Sequence, residues 1–185
     1  LLKLKSLDTL GKAFSSEMPH ADSLAKYLDK LIPVVKPWGE DLKEGVFISR
    51  SWLEFSDDDD FHDVVLHFFQ KEGEYLRSVN GNVTAGTWRL IESSNKLLLE
   101  HDENELYDLA FSDKNFFVLK KHGDQVRLGQ PKYFVMVNEP LGRKLEWRDA
   151  MELMYNTYRS NNSFYFTLAA IVLVIIAIVL IYSLG

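Results

Sequence analysis

Cysteine is absent from the 185 residues. That excludes disulfides, Cys-based zinc sites, iron–sulfur clusters and Cys nucleophiles, while leaving the compartment open. Also missing are a Gly-x-Ser-x-Gly elbow, a phosphate-binding loop and a dinucleotide fingerprint. The five histidines, His20, His62, His67, His101 and His122, are scattered, and no pair has the spacing of a helix-borne metal site. Carboxylates occur in pairs, but an acidic surface accounts for them without acid–base chemistry. The chain therefore reads as a non-enzyme that calls for no cofactor. Positive charge is scarce too: 21 Lys and Arg stand against 27 Asp and Glu, a formal charge of -6. Such a chain is a poor general binder of phosphate backbones, which sets nucleic acid aside as a partner.

What is present begins with an apolar run. Phe164 to Tyr182 holds nineteen residues without a charge, Gly or Pro. As a helix it is about 28 Å long, close to the hydrocarbon thickness of a bilayer. Phe164, Tyr165 and Phe166 at one end and Tyr182 at the other suit the two interfaces. The expectation is a C-terminal transmembrane helix over 164–184. The run has no ionisable residue and no Gly-containing small-xxx-small pair, so it reads as an anchor and not as part of a pore. Arg143, Lys144, Arg148 and Arg159 precede it and no cation follows. The expected placement is a single-pass membrane protein with its N-terminal part in the cytoplasm. A segment upstream of Leu1 would reverse that orientation.

Residues 1–45 read as a helical arm and linker. Leu2, Leu4, Leu7, Leu10 and Phe14 form a weak apolar stripe. A helix is expected from about Asp22 to Leu31, capped by Asp22 or Ser23, with Leu24, Tyr27, Leu28 and Leu31 on one face. Pro33, Pro37 and Gly39 then punctuate a linker. Such helices would cover an edge or open end of the next domain, or dock a partner.

Residues 46–140 read as a β domain. Eight short segments, the first spanning 46–55 and the last 132–137, are separated by turn signals such as Asn80-Gly81-Asn82 and Glu72-Gly73. Tyr107, Leu109 and Phe111 are expected on one face. The fold class is mainly β: an antiparallel meander closing as a small barrel or folding as a sandwich, which removes open edges. Adjacent rings at Phe68-Phe69, Phe116-Phe117 and Tyr133-Phe134 put aromatics on both faces of three strands. One face fills the interior; the other must meet the N-terminal helices, another subunit or a membrane surface.

Residues 145–160 read as an amphipathic helix, interrupted at Ser160-Asn161-Asn162. Trp147, Ala150, Met151, Met154, Tyr155 and Tyr158 share a stripe, with Arg148, Asp149 and Glu152 off it. Trp147, Met151, Met154, Tyr155 and Tyr158 are candidates for contact with a partner or the headgroup layer; the alternative is packing on the β domain. Asp57, Asp58, Asp59 and Asp60 are a weak candidate for calcium, lacking the Gly and terminal Glu of an EF-hand loop.

The segment 65–123 carries a family resemblance. Gly86-Thr87-Trp88 after a turn, the Leu-rich Leu97, Leu98 and Leu99, the strand Leu106 to Phe111 and the apolar Phe116 to Leu119 resemble the lipocalin-like domains of bacterial, especially Bacteroidetes-type, surface and membrane proteins. The resemblance implies an up-and-down barrel that holds an apolar ligand, with Trp88, Phe111 and Phe117 as contacts. Without the family, Trp88 reads as a plug at a barrel end. Function is expected to be that of a non-catalytic, membrane-anchored accessory or scaffold subunit holding a protein partner or its own copies. The alternatives are a carrier of an apolar ligand and a homo-oligomeric membrane-perturbing effector.

Overall fold

The structure, a computed structural model, describes residues 21–58, 63–91, 94–123 and 131–184, the last stretch with side chains at 131–159 and 170–176. The stripe Leu2 to Phe14 lies outside them. Eight strands form an antiparallel meander that closes on itself: β1 Ser51–Phe55, β2 Val65–Phe69, β3 Glu74–Val79, β4 Asn82–Ile91, β5 Lys96–Glu100, β6 Asn104–Ser112, β7 Phe116–Lys121 and β8 Tyr133–Asn138. Each strand pairs with the next, and β8 returns to β1 through Trp52 opposite Asn138 and Leu53 opposite Val137. Of the two expected closures, the barrel is the one formed. Closure leaves no sheet edge among these strands. Asn80 and Gly81 turn β3 into β4 with positive φ at both positions (50° and 90°), which matches the twist of a tight hairpin.

Two departures from the sequence pattern shape the interior. Val46 and Phe47 were expected in the first strand; they belong instead to a one-turn helix, α2 (Glu44–Phe47), that points inward. Phe111 does not share a face with Tyr107. A bulge between Leu109 and Phe111 shifts the register, so Leu109 opposes Leu119 and Phe111 opposes Val118. The extra residue, Ala110, turns the end of β6 over, and Phe111 packs outside the barrel.

The outside layer uses the second set of rings. Helix α1 (Leu24–Val35) starts at Ser23, whose Oγ accepts from the Lys26 N–H at 3.3 Å, and its Leu24 N–H donates to Asp57 Oδ2 at 2.6 Å. It runs four residues past its expected end, through the exposed Pro33, because Ile32 and Val35 continue its buried face. A short helix α3 (Glu139–Gly142) follows β8 and leads into α4 (Trp147–Leu184). Helices α1 and α4 pack together over Phe111, Phe116, Val118, Val135 and Val137. The chain's own helices therefore cover that outer face.

Helix α4 is continuous for 38 residues, about 57 Å, with no break at Ser160-Asn161-Asn162. Helix-propensity costs of a few tenths of a kcal/mol per residue are too small to stop it there. Among the described residues no helix is long and apolar enough to cross a membrane. Most side chains of the run 164–182 lie outside that set. Of those described, Ile171 to Ile176 are 46–67% exposed on every side of the helix.

Candidate functional site

The inward face of the strands changes character along the barrel. At one end it is aromatic. Phe47 on α2 sits at the centre, its ring centroid 5.3 Å from Phe69, 5.1 Å from Trp88 and 5.1 Å from Phe117. Trp52 Nε1–H donates to the Phe47 carbonyl at 2.8 Å, and Trp88 Nε1–H to the Gln70 carbonyl at 2.9 Å. This end is sealed. Gly86 explains part of the Gly-Thr-Trp step: a Cβ there would come within 2.5 Å of the Glu100 carbonyl oxygen, so only glycine lets β4 approach β5 so closely.

At the other end the inward positions turn polar. Glu54 stands two residues after Trp52, Arg77 two after Tyr75, Glu105 two before Tyr107 and Lys121 two after Leu119. With His67, His101 and Phe134 they line an open cavity of about 440 Å³. The barrel is a cup with an aromatic floor and a polar mouth.

Two hydrogen-bonded chains run along the mouth. The Tyr75 hydroxyl donates to His67 Nδ1 at 2.5 Å, and His67 Nε2–H donates to Glu54 Oε2 at 2.8 Å. With the imidazolium disfavoured by burial, these two contacts fit the neutral Nε2–H tautomer. Burial, opposed by the Glu54 hydrogen bond, holds His67 below the ordinary histidine value; the side chain is only 2% exposed. Opposite, the Tyr107 hydroxyl donates to Glu105 Oε2 at 2.5 Å, and Lys121 pairs with Glu105 Oε1. Burial pushes Tyr75 and Tyr107 well above the usual tyrosine range, and for Tyr107 the Glu105 hydrogen bond adds to it. At the rim Arg77 pairs with Asp102 at 3.7 Å, and His101 Nδ1 lies 3.1 Å from the same carboxylate.

Two predictions arise from this geometry. A histidine whose folded pKa lies below its unfolded value binds fewer protons when folded. Its contribution to stability is complete above about pH 6.5 and falls as pH drops below that value. Thermal melts between pH 5 and 8 are expected to show Tm declining below about 6.5, with a shallower decline in His67→Gln; parallel curves would refute this. Lys121, 8% exposed, holds a carboxylate that is itself mostly buried. Lys121→Met is expected to cost about 2–3 kcal/mol, because Glu105 loses its cation, and Glu105→Gln in the same chain is expected to recover most of it. Chemical denaturation of the three variants measures this as a double-mutant cycle.

The residues singled out from sequence fall elsewhere. Trp88 and Phe117 belong to the sealed floor, and Phe111 to the outer layer against Tyr158, so none of the three lines the mouth. The stripe expected to meet a partner or headgroups is spent on the chain itself. Met151 and Met154 are fully buried, and Trp147, Tyr155 and Tyr158 pack on the same cluster. The Tyr158 hydroxyl donates to Asp113 Oδ2, tying α4 to the turn between β6 and β7. Asp57 holds the start of α1, and the Asp58 N–H donates to Ser56 Oγ at 3.1 Å. Asp59 and Asp60 lie outside the described residues, among which no group of three or more His, Asp or Glu side chains is arranged to hold a metal ion.

Fold and site together define a closed β-barrel cup with a helical cover on one flank. No family model, curated protein or solved structure matches the chain.

Proposed function

We propose that the chain is a non-catalytic binding module, anchored in a membrane by the apolar half of α4, that holds a small molecule in the polar mouth of its barrel. The observation that carries this reading is the switch of the inward strand positions from apolar to polar around an open cavity of about 440 Å³. A barrel needing only stability would continue its apolar packing to the end, since buried polar networks return little net stability. The lipocalin-like resemblance remains a proposal. A closed up-and-down barrel agrees with it, but that architecture is common to unrelated barrels. The lining favours a ligand with polar groups over the wholly apolar one the resemblance implied.

Anchoring is supported by the nineteen-residue uncharged run and by the exposure of Ile171 to Ile176 around the whole helix, a surface that suits lipid. The cations at Arg143, Lys144, Arg148 and Arg159 favour a cytoplasmic barrel. A scaffold that holds a protein partner is less well supported, because Met151 and Met154 of the stripe it would have used are buried and Trp147, Tyr155 and Tyr158 are partly buried against the chain's own outer cluster. Native mass spectrometry of the full chain in detergent micelles tests the reading. A small molecule released from the barrel is expected, and a mass equal to the bare polypeptide in every preparation, or a stoichiometric foreign chain, would count against it.

A further inference from the structure

The chemistry of the mouth narrows the ligand class. Among the described residues, five carboxylates, Glu54, Asp57, Asp102, Glu103 and Glu105, surround the cavity, against two permanent cations, Arg77 and Lys121. Both cations are committed: Arg77 to Asp102 at 3.7 Å, and Lys121 to Glu105. Deeper in, Glu54 Oε2 lies 2.8 Å from Nε2 of His67, whose burial disfavours the imidazolium, so this hydrogen-bond partner is not a permanent cation. A carboxylate partly withdrawn from water beside a neutral partner is electrostatically under-compensated. The cavity wall next to it is aromatic. Phe134 lies 4.8 Å from the His67 ring and 5.7 Å from Tyr107, and Tyr75 stacks on His67 at 5.9 Å. Ring faces and an excess of carboxylate both attract cations, and both repel a ligand carboxylate.

We propose that the mouth takes a small organic ammonium ion, its charge beside Glu54 and its apolar part against Tyr75, Tyr107 and Phe134. This rests on the binding reading above and specifies it. A ligand of this kind is water-soluble and fills the site in one orientation, charge toward Glu54 and hydrocarbon toward the rings.

The test is calorimetric titration of the full chain in detergent micelles with three probes of one shape: 2-phenylethylammonium, 2-phenylethanol and 3-phenylpropionate. The ammonium probe is expected to bind at least tenfold more tightly than either of the others, and to weaken as ionic strength rises. Glu54→Gln, which keeps an acceptor for His67, is expected to lose tenfold or more in affinity for the ammonium probe alone. Tighter or equal binding of the carboxylate or the alcohol would overturn the ammonium assignment while leaving a binding barrel in place. Binding of none of the three would count against both. An unchanged affinity in Glu54→Gln would overturn the role given to that carboxylate. Should Glu54→Gln not fold, the ranking of the three probes on the native chain still decides.

Discussion

Phe47→Ala is expected to lower stability by about 3–5 kcal/mol, among the larger losses a single side chain can cause. The reason lies in what Phe47 holds. Its ring is fully buried and touches Phe69, Trp88 and Phe117, which come from β2, β4 and β7. It rides on a helix of four residues, far too short to persist unaided. Removing the ring leaves a cavity ringed by three aromatics and frees the helix that seals the barrel. The Trp52 indole then loses a fixed acceptor, since it donates to the Phe47 carbonyl. At about 2–4 °C per kcal/mol for a chain of this size, Tm is expected to fall by about 6–20 °C. Phe47→Leu keeps most of the volume and is expected to cost less than half as much. Thermal melts followed by tryptophan fluorescence measure both, and a loss under 1 kcal/mol for Phe47→Ala would show that the floor is not sealed by this residue.

The second large effect concerns the apolar half of α4. Leu173 and Ile176 lie near the middle of the run 164–182 and are exposed on the helix surface. An arginine near the centre of a spanning helix costs about 2.5–3.5 kcal/mol on the scale set by insertion experiments. Leu173→Arg with Ile176→Arg together therefore remove about 5–7 kcal/mol of insertion free energy, enough to shift partitioning by more than a thousandfold. Flotation with lipid vesicles is expected to carry the native chain to the top of a density gradient and to leave the double variant at the bottom. The barrel itself is not touched by these changes, so its melting profile is expected to stay put. Co-flotation of the double variant would mean that the run does not sit in hydrocarbon.

Much of the fold was legible because strand alternation and turn chemistry agree locally. Asn80-Gly81 announced its hairpin, and the adjacent rings at Phe116-Phe117 announced two buried faces. Leu24, Tyr27, Leu28 and Leu31 announced one helical face, now found against the sheet. The misses have identifiable causes. Val46 and Phe47 have strand-like chemistry, yet their burial at the barrel end fixes them as a helical turn; tertiary packing overrides a weak local preference. The bulge at Ala110 inserts one residue and reverses Phe111, which no period-two pattern can anticipate.

The site was harder to see than the fold. Its members come from six strands, and none has a neighbour in sequence that marks it. Aromatic residues such as Trp88, Phe111 and Phe117 suggest ligand contact, but this barrel spends Trp88 and Phe117 on its floor and Phe111 on its outer layer. The informative signal was the charged residue placed on an otherwise apolar inward phase: Glu54 after Trp52, Lys121 after Leu119. Such a residue is paired, solvated or functional, and only the closed barrel brings Glu54, His67, Glu105 and Lys121 around one opening.

The cup itself is tested most directly by thiol accessibility, which the absence of native cysteine makes clean. Glu54 lines the mouth with its side chain 23% exposed, whereas Leu97, on the inward face of β5, is fully buried. Glu54→Cys is expected to react with a small water-soluble methanethiosulfonate in the folded full chain, and Leu97→Cys to resist it by two orders of magnitude or more. Equal protection of both thiols would mean that no open mouth exists, and equal reactivity would mean that the floor is not closed.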